Sequence, residues 1–158
     1  LLSIKGETKQ NAPSATNPTV PSDWEPVELV TAGPVLLKDG KIPFDFTRTS
    51  KGNTYFLSNW EMITYDVFTD TTGDDWRCDR SAVGITEDGK LIFFACEGRT
   101  PSLSCGANLD EVARILKALG CVEALNFDGG GSTKLYLGGQ SFANNNRAVM
   151  TTVGIVTK

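Results

Sequence analysis

The sequence predicts an α/β (α+β) domain: a mixed β-sheet with one strand–helix–strand crossover and hairpins. Three observations predict it. The β-rich runs 81–86 and 90–96 flank Glu87-Asp88-Gly89, whose Asp-Gly step favours a tight antiparallel turn. Asn108 stands three residues before Glu111, a capping-box spacing, and Val112, Ile115, Leu116 and Leu119 follow at helical intervals. Gly120 then offers a helix stop, and the run from Cys121 to Asp128 reads as the next strand. Strand, helix and strand in that order form a crossover unit.

The remaining elements follow along the chain. Residues 1–26 read as a linker or loop, because prolines recur among Thr, Ser, Asn and Ala over 7–26. The domain is then 27–158. Val27 to Leu37 alternates loosely and meets Lys38-Asp39-Gly40-Lys41, a hairpin turn signal. Residues 55–68 are aromatic and β-branched and predict strands, followed by a polar loop over 69–79. Lys134 to Leu137 and Ala148 to Val156 predict further strands. Internal repeats are absent from the sequence.

Composition narrows the function classes. At 158 residues and 40% apolar, the chain supports one domain with a real core. A net charge of −4 gives no basic face for nucleic acid. The longest apolar stretch, Leu91 to Cys96, is far too short to span a bilayer. With no histidine and no Cys-x-x-Cys pair, neither a histidine-based nucleophile triad nor a structural zinc site is expected. Cys78, Cys96, Cys105 and Cys121 are even in number and leave disulfide pairing open, with Cys96 expected as a buried thiol. The chain begins at Leu1 with no leader, which is the expectation for a processed form or fragment whose export signal came earlier.

Chemistry concentrates at the end of the strand closing on Asp128. Gly129, Gly130, Gly131, Ser132 and Thr133 follow it. Glycines let the backbone approach a ligand and offer N–H groups, and a strand end delivers the carboxylate to one place. This is not a Walker A loop, since Lys134 follows the hydroxyl residues instead of preceding them. An anionic or sugar substrate is the expectation.

Glu97-Gly98-Arg99 closes the strand ahead of the helix. Were the two strands parallel, Glu97 and Asp128 would leave the sheet at one edge and share acid and base roles. Arg80, Arg99 and Arg147 each flank an expected strand, and their planar guanidinium forks suit phosphate oxygens. Ser104 and Gly106, ahead of the helix, add a hydroxyl and open backbone. The plainer alternatives are a surface Glu–Arg pair and an ST-turn. Trp24, Trp60, Trp76 and Tyr136 are expected mainly in packing, with stacking on a sugar face as the other use.

Arg80 to Gly84, Asp88-Gly89-Lys90, Glu97-Gly98-Arg99, Ser104-x-Gly106, Leu109 to Leu119 and Asn126 to Thr133 occur in one order. That series resembles the phosphodiester glycosidase family, with Ala32 to Lys41 like its upstream signature and Asn146 to Val149 like its closing segment. The resemblance covers 30–158. It implies a hydrolase cleaving a glycosyl phosphodiester, such as an N-acetylglucosamine-1-phosphodiester, with Asp128 and Glu97 catalytic. Arg80, Arg99, Ser104, Gly129 to Gly131, Ser132, Thr133 and Arg147 would bind the substrate. Glu97 stands where the family commonly has Asp, and no Asn-Gly-Gly-aromatic segment is found. The chain therefore reads as the C-terminal part of such a domain, with a further N-terminal segment of the same protein as partner. No cofactor is required on this reading; a cation such as calcium, held by carboxylate and carbonyl oxygens, is compatible with it. The expected location is secreted, periplasmic or cell-surface. The alternative is a non-catalytic module binding cell-surface glycans.

Overall fold

The computed structural model describes residues 30, 32–43, 54–56, 62–64, 77–100, 102–144, 147–149 and 152–155. The connector expected over 1–26 and the tryptophans lie outside the described residues. Strand β1 (Val35–Leu37) is followed by β2 (Thr54–Phe56) and β3 (Met62–Thr64), which pair with each other in antiparallel fashion. Next come β4 (Arg80–Thr86), β5 (Leu91–Cys96), helix α1 (Leu109–Ala118) and β6 (Cys121–Asn126). A short hairpin, β7 (Lys134–Leu137) with β8 (Gln140–Asn144), follows.

The principal sheet has the order β1-β6-β4-β5, and each of its hydrogen-bonded pairs is antiparallel. The crossover is present, with one difference from the simplest expectation. β5 and β6 run the same way, but β4 lies between them and pairs with both. The physical reason is the turn at Glu87-Asp88-Gly89. It commits β5 to β4 as a hairpin, with Gly89 at φ 83°, and leaves the other edge of β4 for β6.

Helix α1 forms for the reasons written in its sequence. The Asn108 side chain accepts the Glu111 N–H at 2.8 Å, and the Glu111 carboxylate accepts the Asn108 N–H at 3.0 Å. Asp110 and Glu111 sit at the positive end of the helix dipole, and Gly120 closes it at φ 87°. Leu109, Val112, Ala113 and Leu116 are buried against Leu36, Leu37, Ala82, Cys121 and Ala124, forming the core between helix and sheet. Asn108→Ala removes the side-chain half of the box, the acceptor for the Glu111 N–H, and leaves the backbone N–H that donates to Glu111. A loss of about 1 kcal/mol is expected, read as a lowered urea midpoint with an unchanged slope.

Asp39 and Gly40 turn with φ of 49° and 70°, the positive pair that an Asp-Gly turn predicts, and Lys38 bridges Lys41. Beyond this turn, however, the partner of β1 among the described residues is β6. Strand β8 was not expected; Gly138-Gly139, both at positive φ, is the turn signal that marks it. Conversely, 148, 149 and 152–155 form no strand, because no described segment lies alongside to accept their hydrogen bonds. No described helix is long and apolar enough to cross a membrane.

Candidate active site

The site grows from one end of the principal sheet. Because β4 is antiparallel to both neighbours, it begins where β5 and β6 end. Arg80 lies opposite Cys96, and Ala82 opposite Asn126. Phe127 N–H donates to the Ser81 carbonyl at 2.8 Å, and Ser81 Oγ donates to the Asp128 carbonyl at 2.7 Å. Asn126, buried one step earlier, donates through Nδ2 to the carbonyls of Gly33 and Phe127. The backbone carrying Asp128 is thereby fixed to the strand beside it. Segments 77–80, 97–100, 102–107 and 127–133 converge at this end.

Within it, Arg80 is buried at 5% exposure and its Nε donates to the Ala107 carbonyl at 3.0 Å. Burial depresses its guanidinium below the usual value, with the nearby Cys78 and Cys96 opposing that shift and Arg99 adding to it. Its part is thus at the base of the site, joining the start of β4 to the segment before α1. Ser104 likewise braces a loop: its Oγ donates to the Glu97 carbonyl at 2.6 Å and accepts the Gly106 N–H at 3.2 Å.

Arg99 is half exposed and stands in the left-handed region, at φ 55°. That conformation costs a non-glycine residue roughly 1 kcal/mol or more, so the surroundings must hold it. Asp79 does so. Its carboxylate, 5% exposed, accepts the Arg99 Nε–H on Oδ2 at 3.0 Å and pairs with Nη2 at 3.0 Å through the same oxygen. Sequence reasoning left Asp79 at the end of a polar loop. Its neighbour Arg80 was the only nearby signal, since Arg99 is 20 residues away.

The glycine run has a definite job for each member. A Cβ on Gly129 would stand 2.8 Å from the Asp79 carbonyl oxygen, so the loop can sit this close only without one. Gly130 lies at φ 57°, gives its N–H to that same oxygen at 2.7 Å, and carries Arg99 Nη2 3.4 Å from where its Cβ would be. The corresponding point on Gly131 is 3.2 Å from Arg147 Cδ. Ser132 and Thr133 N–H groups close a short 3-10 turn onto Gly129 and Gly130. The N–H groups of Gly129 and Gly131 therefore remain without a partner among the described residues. Thr133 is wholly buried, and its hydroxyl has no partner among the described residues.

Glu97 and Asp128 follow the parallel-running β5 and β6, one on each side of β4. Glu97 is half-buried and Asp128 exposed; neither carboxylate makes a hydrogen bond or ion pair among the described residues. Both are therefore available to a ligand. No group of three or more Cys, Asp or Glu side chains converges among the described residues, and the buried acid, Asp79, is engaged by Arg99. The four cysteines are free thiols. Burial pushes those of Cys96 and Cys121 up, the wrong direction for a thiolate nucleophile.

Three comparisons bear on this arrangement. A family model described as phosphodiester glycosidase matches residues 4–156. N-acetylglucosamine-1-phosphodiester alpha-N-acetylglucosaminidase of Mus musculus is 43% identical over 60 residues, and that of Homo sapiens 40%. The match spans 38% of this chain but 11% of each relative. The catalytic domain of the zebrafish enzyme of that name, solved as auto-inhibited by its pro-peptide, is similar in fold, with a TM-score of 0.51 and 25% identity. That similarity covers 84% of this chain and 38% of the zebrafish chain.

Proposed function

Because this chain belongs to the phosphodiester glycosidase family, we propose that it forms part of a hydrolase cleaving a sugar-1-phospho-sugar, such as an N-acetylglucosamine-1-phosphodiester. The observation that carries this is the placement of two arginines against the glycine run, the Arg99 guanidinium at Gly130 and the aliphatic stem of Arg147 at Gly131. A phosphodiester carries one negative charge on non-bridging oxygens, which arginine forks and unpaired N–H groups bind together.

The chemistry follows from that placement. Water adds across the link between anomeric carbon and phosphate, so one sugar leaves bearing a hydroxyl and the phosphate stays on the other as a monoester. Asp128 takes the water proton, or delivers one, with Glu97 as its partner. Negative charge grows on the departing phosphate oxygens. Arg99, Arg147 and the Gly129 and Gly131 N–H groups meet it with positive charge already in place. Arg80, Ser104 and Thr133 support the loops from beneath. No step is routed through a metal.

The chain spans a minor part of its relatives, so a further segment of the same protein is proposed to complete the substrate pocket. The proposed setting is outside the cytoplasm, where glycans of this kind are exposed. The test is incubation of the full-length protein with an N-acetylglucosamine-1-phospho-mannoside. Release of free N-acetylglucosamine supports the reading. Saturable binding without turnover would overturn it in favour of a glycan-binding module.

A further inference from the structure

We infer that Asp79 is the positioning residue of this anion site, holding it from two sides at once. With its carboxylate it aims the Arg99 guanidinium, and with its backbone carbonyl it pins the glycine loop at Gly130. The inference rests on the proposed function, because it explains how that site is kept in shape without a ligand.

Two separate observations lead to it. First, an arginine at the mouth of a site is ordinarily mobile, with many rotamers to lose on binding a ligand. Here Nε and Nη2 both meet one oxygen of an acid that is nearly inaccessible to solvent. The acid cannot swing away, so the fork is held in one plane and its remaining N–H groups are left for a ligand. Part of the ordering cost of binding is thus met beforehand. Second, the Asp79 carbonyl takes the Gly130 N–H at 2.7 Å and lies where a Gly129 side chain would be. The Gly129 and Gly131 N–H groups make no such bond among the described residues. Guanidinium and loop are thereby registered to each other by a single residue, which touches no substrate.

Orthophosphate binding by the full-length protein tests this, followed by calorimetry for wild type, Asp79→Asn, Arg99→Gln and the double variant. Each single substitution is expected to weaken phosphate about tenfold, the loss of one charge-assisted interaction. The double variant is expected to bind no more weakly than Arg99→Gln alone. In proton–nitrogen spectra, the Arg99 Nε–H signal should be visible in wild type and lost in Asp79→Asn. Wild-type affinity in Asp79→Asn beside a weakened Arg99→Gln overturns the inference and leaves the proposed function standing. An additive further loss in the double variant would mark a merely structural Asp79 and also overturns it. Wild-type affinity in Arg99→Gln overturns the anion site itself. If Asp79→Asn does not fold, Asp79→Glu keeps the charge and lengthens the arm, and the same tenfold loss and vanished signal are expected.

Discussion

Asp128→Asn is expected to lower turnover of an N-acetylglucosamine-1-phosphodiester by about 10²–10⁴-fold while leaving KM nearly unchanged. The magnitude is that of losing a positioned proton-transfer group. Asparagine has the same shape and leaves the Asp128 carbonyl bonded to Ser81 Oγ, so the backbone is expected to stay put. What disappears is the capacity to carry a proton. Glu97→Gln is expected to lower turnover as well, since the partner carboxyl in the proposed proton transfer is lost. Initial rates of the full-length variants across the acidic to neutral range check both. Equal rates for wild type and Asp128→Asn would end the catalytic assignment.

Gly98→Ala is expected to cost about 3 kcal/mol of stability, the upper part of the usual range for overpacking. A Cβ there would stand 2.4 Å from the Cys78 carbonyl carbon and 2.5 Å from the Asp79 nitrogen. These are backbone atoms, so relief comes only by moving the strand entry that carries Asp79 and Arg80. Loss of stability and loss of phosphate binding should therefore appear together. Gly154→Ala is the control: its Cβ would have open space within 4 Å, and a change within about 0.5 kcal/mol is expected. Urea unfolding of both variants makes the comparison. A Gly98→Ala protein as stable as wild type would show that segments 77–79 and 97–99 are not packed as described.

Local chemistry made much of this fold legible in advance. The Asp88-Gly89 turn, the Asn108–Glu111 box and Gly120 each act within a few residues, and each formed the element it predicts. The glycine run was also readable as a place of close backbone approach. The object approaching proved to include the Asp79 carbonyl, as well as the Arg99 and Arg147 side chains. Asp79 itself was not legible, and neither was the burial of Arg80. Their partners, Arg99 and Ala107, are 20 and 27 residues away and meet them only once the sheet is assembled. The same holds for the place of β4. Nothing in the helix or in the strands around it says that a preceding hairpin strand will occupy the gap between them. The expected strand over 148–156 is absent at its described residues, 148, 149 and 152–155, for a related reason, because β propensity needs a neighbour to act.

The turn at Glu87-Asp88-Gly89 closes the sheet at the end away from the chemistry, yet it governs the alignment of β4 against β5. Side chains alternate from face to face along a strand, so an insertion of one residue at that bend would invert every position downstream of it. Within β5, Ala95 and Cys96 would then exchange faces, and the segment that follows them would leave the sheet differently against Asp79. Length at a remote, solvent-facing corner is therefore under the same constraint as the identity of the acids themselves.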